Sequence, residues 1–376
     1  MIYLDSAATA LQKPPQVARA MVWATQHCAS PGRGNYAAAV QAAETAFQCR
    51  SALAELLGAA GPEQVIFTSS ATHGLNIAIR SLVQPGDRVV ISGYEHNAVT
   101  RTLASIPNLD QQVAVGRLFD PKADLEDFAQ ALERPTRAVI CTHVSNVFGY
   151  ILPISEIAQL CRARQIPLIV DASQSAGILP VDLEGWGAEY VALPGHKGLC
   201  GPQGIGVLLC GKSSNPVPLL TGGTGSESLL QAMPDFLPDR LEAGTHNLPG
   251  IAGLLAGVRF IRQQGPERLL RGEQTLIRQL RAQLSKVPGL ELICPEDPAL
   301  ATGVLSFRLA GQDCEETAER LGRRGIALRA GLHCAPLAHR TAGTLETGTI
   351  RASVSPFNRP EELRALAGAL RQMTEK

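Results

Sequence analysis

Short, nearly unbroken apolar runs recur through the first half of the chain: Val65–Phe67, Arg88–Ile91, Ala138–Cys141, Leu168–Val170, Tyr190–Leu193 and Ile205–Leu209. None alternates apolar with polar positions, as a strand with one wet face would. Helical stretches lie between them, for instance 155–164, which Ser155 or the preceding Pro153 can start. Apolar strands separated by helices predict a largely parallel sheet covered on both faces, an α/β fold. Ligands of such sheets sit outside the carboxyl ends of the strands.

After about residue 250 the texture changes. Helical stretches at 250–263 and 265–286 precede strands at 290–293 and 303–307. A helix at 314–324, a loop at 330–348, a strand at 349–354 and a last helix at 360–374 follow. This is an α+β pattern. The organisation it predicts is an N-terminal segment (1–15), a large domain (16–250) and a smaller C-terminal domain (251–376), with the first dozen residues packed near the small domain or the active site.

The 376 residues are 45% hydrophobic and 18% charged, enough for a large core and unlike a disordered chain. Lys plus Arg and Asp plus Glu balance at 34 each, so no net field favours nucleic acid or an anionic membrane. The sequence holds no apolar run of membrane-spanning length and no secretory n- and h-region after Met1. Nine cysteines, with no CxxC pair and no Cys/His spacing suited to a metal, predict reduced thiols in the cytoplasm and no metal site.

Polar groups follow the predicted strands. Leu168-Ile-Val-Asp171 delivers a carboxylate to a strand end, and Leu193-Pro-Gly-His-Lys197-Gly198 places one lysine among glycines. A lysine at a strand end is ordinarily solvated. An amine able to form an imine, with a carboxylate to keep a ring nitrogen protonated, is also the minimum protein equipment for pyridoxal phosphate chemistry. Phe67-Thr-Ser-Ser-Ala-Thr72 runs into a helix, which taken alone reads as an N-cap and otherwise as a phosphate cradle. His96 and Asn146 emerge at the same predicted sheet edge. Five polar groups after five strands carry more than any one of them.

The ordered set Ala71-Thr72, Glu95-His96, His143-Val-Ser-Asn146, Asp171-Ala-Ser-Gln174, Gly195-His-Lys197, Arg329-Ala-Gly-Leu-His-Cys334 and Thr349-Ile-Arg351 resembles the cysteine desulfurase and selenocysteine lyase family. These are class V aminotransferase-like proteins of fold type I that use pyridoxal 5'-phosphate. The likeness runs from Tyr3-Leu-Asp-Ser-Ala-Ala-Thr9 almost to the C-terminus, and the short cysteine loop resembles the group II branch. It implies a pyridoxal-phosphate enzyme that converts L-cysteine to L-alanine. Lys197 is then the cofactor lysine, Cys334 the sulfur-accepting thiol, and His96 the residue stacked on the ring. Asp171 holds the ring nitrogen, Asn146 and Gln174 the phenolic oxygen region, and Thr72 and His196 the phosphate, with Ala71 in the same turn. Thr245 reaches the phosphate of the other subunit of a homodimer. Arg351 clamps the substrate carboxylate, with Arg329 and Asn35 as further members of that pocket. A protein sulfur acceptor is the implied partner.

The chain departs from the family pattern at Pro194, where a Ser or Thr usually donates to phosphate, and at His73, where Glu is common. Proline has neither hydroxyl nor N–H, so one phosphate contact is missing. A solvated His73 is expected. The alternatives are a selenocysteine lyase, with the same cofactor site, and a catalytically degenerate regulatory protein, which only Pro194 favours.

Overall fold

The computed structural model describes residues 1–32 and 34–374. Its centre is a seven-stranded sheet in the order Val65–Thr68, Gly206–Cys210, Tyr190–Pro194, Leu168–Asp171, Ala138–Thr142, Arg88–Ser92 and Asp110–Ala114. Gly206–Cys210 runs antiparallel to both of its neighbours, and the other pairs are parallel.

The missing polar alternation has a direct cause. Val139 and Cys141 join one apolar core while Ala138 and Ile140 join another on the opposite face. Val170 and Ile169, and Val191 and Ala192, divide in the same way. Both faces are dry, and each fully buried large aliphatic side chain contributes about 1.5–3 kcal/mol. Asp110–Ala114, reading Asp-Gln-Gln-Val-Ala, escapes the apolar criterion because it is an edge strand with its first three residues exposed.

A second, antiparallel sheet has the order Arg329–Gly331, Thr349–Ser353, Val304–Leu309 and Leu290–Ile293. The helices Pro266–Leu284, Cys314–Arg323 and Pro360–Thr374 pack on it around Phe307, Leu305 and Ile350. The segment read as a loop at 330–348 holds the strand end at Gly331 and a helix, Pro336–Thr341. The helix Leu248–Gln264 spans residue 250, and its Ile251, Leu254 and Val258 lie in the larger core.

The N-terminal residues strap the two parts together. Ile2–Tyr3 pairs in parallel with Ile326–Ala327, and Leu4 sits in the smaller core. Further on, the amide of Ala10 donates to the carbonyl of His196, 2.9 Å.

Candidate active site

Five parallel strands end on one side of the large sheet, and each releases a polar group there. Val65–Thr68 leads into the helix Ala71–Leu82, whose cap, Ser70, accepts from the His73 amide, 3.2 Å. The first N–H groups of that helix have no helical partner and form its partial positive end, which suits an anion. Gly206 is required beside this turn, because a Cβ there would stand 2.6 Å from the Ser70 carbonyl carbon.

Beyond Arg88–Ser92, His96 caps the helix Asn97–Ala104, its Nδ1 accepting from the Ala98 amide at 3.0 Å. The proton of the neutral ring therefore sits on Nε2, and burial lowers the pKa of the ring, so the neutral form is favoured. Asp171, almost fully buried, accepts from the Ser173 amide through one oxygen, 2.9 Å. Its second oxygen has no hydrogen-bond partner among the described residues and is free for a ring N–H. Asn146 donates to the His333 carbonyl, 2.8 Å, and Gln174 to that of Ala7, 3.0 Å. Each amide keeps a second N–H.

After Tyr190–Pro194 come His196 and Lys197. Burial brings the Lys197 amine down to about 8, assisted by Arg351 and Arg329 and opposed by Asp171. Such an amine has roughly a tenth of its population unprotonated at pH 7, far more than an ordinary lysine, and a nucleophile must be unprotonated to react. His196 shares Nδ1 with the Thr9 hydroxyl at 3.0 Å, and burial lowers its pKa to about 4. It stays neutral.

The smaller unit closes the far side. Arg351 and Arg329 lie on adjacent antiparallel strands, paired in register. Leu332–Ala335 is a tight turn closed by the Ala335 amide on the Leu332 carbonyl, 2.8 Å, with His333 and Cys334 at φ of 49° and 57°. His333 turns inward, its Nε2 within 3.2 Å of both the carbonyl and the hydroxyl of Thr349. Cys334 is left exposed. No other cysteine is, and burial raises the pKa of all eight, with Cys49, Cys161, Cys200 and Cys210 at about 12.

All of the residues expected in the site line one cleft of about 210 Å³, except Thr245 and Asn35. Thr245 is exposed and borders a separate groove with His73, Ser69 and Leu220. Asn35 is exposed in the turn before the helix Ala37–Leu56. His73 points to Ser69, its Nδ1 3.3 Å from that amide, and does not reach the place left by Pro194. His143 is buried edge-on against Trp186, 5.2 Å between centroids, and serves the core.

Three contributors escaped the sequence. Glu95 is wholly buried, accepting from the Ser92 hydroxyl and the Thr142 amide, and burial raises its pKa to about 8. Asp5 pairs with Arg351, and Glu242 anchors the segment that carries Thr245. The only signal for each was its place inside a motif, because their partners are remote in sequence.

A mainly parallel α/β unit with a lysine and a carboxylate at adjacent strand ends, facing a smaller unit that carries arginine and cysteine, defines an enzyme of the aminotransferase class-V type. The class-V aminotransferase family model matches residues 2–366, and the chain belongs to that family, in its cysteine desulfurase branch. A Methanothermobacter thermautotrophicus protein named "Probable cysteine desulfurase" is 32% identical over 99% of this chain and 94% of its own. A cysteine desulfurase of Yersinia pseudotuberculosis is 30% identical over 99% and 93%. Among solved structures, the apo cysteine desulfurase of Thermococcus onnurineus superposes with a TM-score of 0.91 at 29% identity, covering 100% of this chain and 94% of that one. The fold-type I architecture is thus the observed one.

Proposed function

We propose that this protein takes sulfur from L-cysteine onto Cys334, releases L-alanine, and passes the persulfide to an acceptor. The observation that carries the reading is that the one exposed cysteine borders the same cleft as Lys197, Asp171 and Arg351.

The groups present suit pyridoxal 5'-phosphate: an open helix N-terminus with His196 beside it for phosphate, a buried carboxylate with a free oxygen for a ring N–H, and an amine whose pKa burial lowers. When bound, that cofactor supplies an aldehyde for the substrate amine and a ring that draws electron density from the α-carbon. Lys197 would hold it and move protons at the substrate's carbon. Asp171 keeps the ring nitrogen protonated, and His96 covers a ring face. Arg351 orients the substrate carboxylate, for which a guanidinium fork is well shaped. The Cys334 thiolate forms an S–S bond to the substrate sulfur as the C–S bond breaks. Carbon keeps the electron pair and takes a proton, completing alanine.

Supporting a homodimer, Thr245 faces away from its own cleft, and the neighbouring stretch exposes Leu229, Leu230 and Phe236. In that arrangement Thr245 completes the partner's phosphate site. Nine free cysteines suit a reducing, cytoplasmic setting. Among the described residues no helix is long and apolar enough to cross a membrane. The exposure of Cys334 favours L-cysteine over selenocysteine as the substrate, since a thiol needs a nucleophile to take its sulfur more than a selenol does.

The test is to supply L-cysteine with a reductant and measure alanine and sulfide together. Equal amounts support the reading. Pyruvate and ammonia in place of alanine contradict it.

A further inference from the structure

The guanidinium of Arg351 borders the cleft, yet its side chain is only 2% exposed. Nη1 donates to the Asn146 carbonyl, 2.9 Å, and Nη2 to Asp5 Oδ1, 2.7 Å. Nε is buried with no acceptor. Nε and Nη2 share one edge of the guanidinium, the edge on which a carboxylate takes two parallel hydrogen bonds. Asp5 engages that edge through Nη2 and leaves Nε bare, although an unsatisfied buried donor is costly.

We propose that Asp5 is a built-in competitor for the substrate-carboxylate site on Arg351, and so sets how tightly the enzyme holds ligands bearing an α-carboxylate. This rests on the reading of Arg351 as that site. An incoming carboxylate that is to bond Nε and Nη2 together meets Asp5 at Nη2 and competes with it there. On displacing it, the ligand satisfies Nη2 and the orphaned Nε together.

Asp5 is placed to yield. Its backbone is fixed, Ser353 donating to the Leu4 carbonyl (2.8 Å) and accepting from the amides of Ser6 (3.3 Å) and Ala7 (2.9 Å), but among the described residues its carboxylate hydrogen-bonds to Arg351 alone and can turn away about its side-chain bonds. The N-terminal strap that carries it meets Gln174 through the Ala7 carbonyl and His196 through Thr9.

The test uses cofactor-loaded protein titrated with L-alanine, which has the carboxylate but no sulfur to transfer, and with ethylamine, which has neither. Binding is read from the cofactor's absorbance. D5N keeps the size and the acceptor oxygen while removing the competing charge. It should bind L-alanine about tenfold or more tightly than the wild type, with ethylamine unchanged. D5S tests the same point should D5N fold poorly. Unchanged or weaker L-alanine binding, or equal tightening for both ligands, overturns the proposal. R351K is measured alongside: if it binds L-alanine as well as the wild type, the reading of Arg351 itself is what fails.

Discussion

The backbone amide of Asn97 donates to the carbonyl oxygen of Cys334 across 2.7 Å. The residue after His96, which lines the cleft, thus holds the turn that presents the thiol. Asn146 grips the preceding carbonyl, that of His333, at 2.8 Å. Two sheet-edge segments of the larger unit therefore fix the position of a cysteine that belongs to the smaller one. Left-handed backbone at two successive non-glycine residues costs on the order of 1–3 kcal/mol each, and it persists because these contacts impose it. Inserting glycines on either side of Cys334, with the cysteine itself kept, should lower the rate of sulfur transfer while leaving cofactor absorbance unchanged. Rapid-quench measurement of alanine formation checks this. An unaltered rate would show that the pinning is idle.

Lys197 sets a pH dependence. Its amine must be neutral to join a cofactor, and its pKa is lowered to about 8 from an ordinary value near 10.5. Apoprotein mixed with pyridoxal phosphate should regain its absorbance at a rate that rises with pH and levels off above about 8. A rate still climbing toward pH 10 would mean that the lysine is not perturbed.

Glu273 sets another. It is buried on the helix Pro266–Leu284, with no side-chain hydrogen-bond partner among the described residues, and burial raises its pKa to about 8. The folded chain then holds a proton that the unfolded chain has lost between roughly pH 4.5 and 8. Stability should fall as pH rises through that window, by roughly 1 kcal/mol per pH unit from this group. E273Q should flatten the slope between pH 6 and 8 in urea melts; equal slopes would contradict the assignment.

The segment bearing Thr245 is anchored by a buried ion pair. Arg50 bonds Glu242 through both nitrogens, 2.8 and 2.6 Å, and Glu242 also accepts from the Phe67 amide and from His246, each at 2.6 Å. E242A leaves Arg50 buried without its partner, a loss of about 3–5 kcal/mol of stability by denaturant titration. T245V, which disturbs no such pair, should keep stability and weaken cofactor binding by about 1.5–3 kcal/mol in the dimer. Full affinity in a verified monomer would contradict the shared phosphate site.

Much of this was legible in the sequence because its signals are local. Continuous apolar strands followed by single polar residues give the sheet and bring Thr72, His96, Asn146, Asp171 and Lys197 to one edge, whereas their order across it (Thr72, Lys197, Asp171, Asn146, His96) follows only from the strand pairing. Asp110–Ala114 was not legible, since an edge strand does not need apolar residues on both faces. Nor was the Asp5–Arg351 pair, whose members stand at opposite ends of the chain and meet only when Ile2–Tyr3 joins Ile326–Ala327. Pro194 was legible as a residue without hydroxyl or N–H at a position facing the cleft. Whether His73 fills its place was not, because that depends on the ring's turn toward Ser69.

The departure at Pro194 has its own outcome. P194S restores a hydroxyl at the cleft wall and should slow cofactor loss on dialysis. Equal or faster loss would mean that another group already serves the phosphate.

The most direct test of the account is to locate the sulfur. Wild-type protein is given L-cysteine, stopped before any reductant is added, and digested for mass spectrometry. One extra sulfur on the peptide containing Cys334, together with near-complete loss of alanine formation in C334A and an intact cofactor spectrum, is the predicted result. Extra sulfur on any of the eight buried or half-buried cysteines, or full turnover of L-cysteine by C334A, would contradict it.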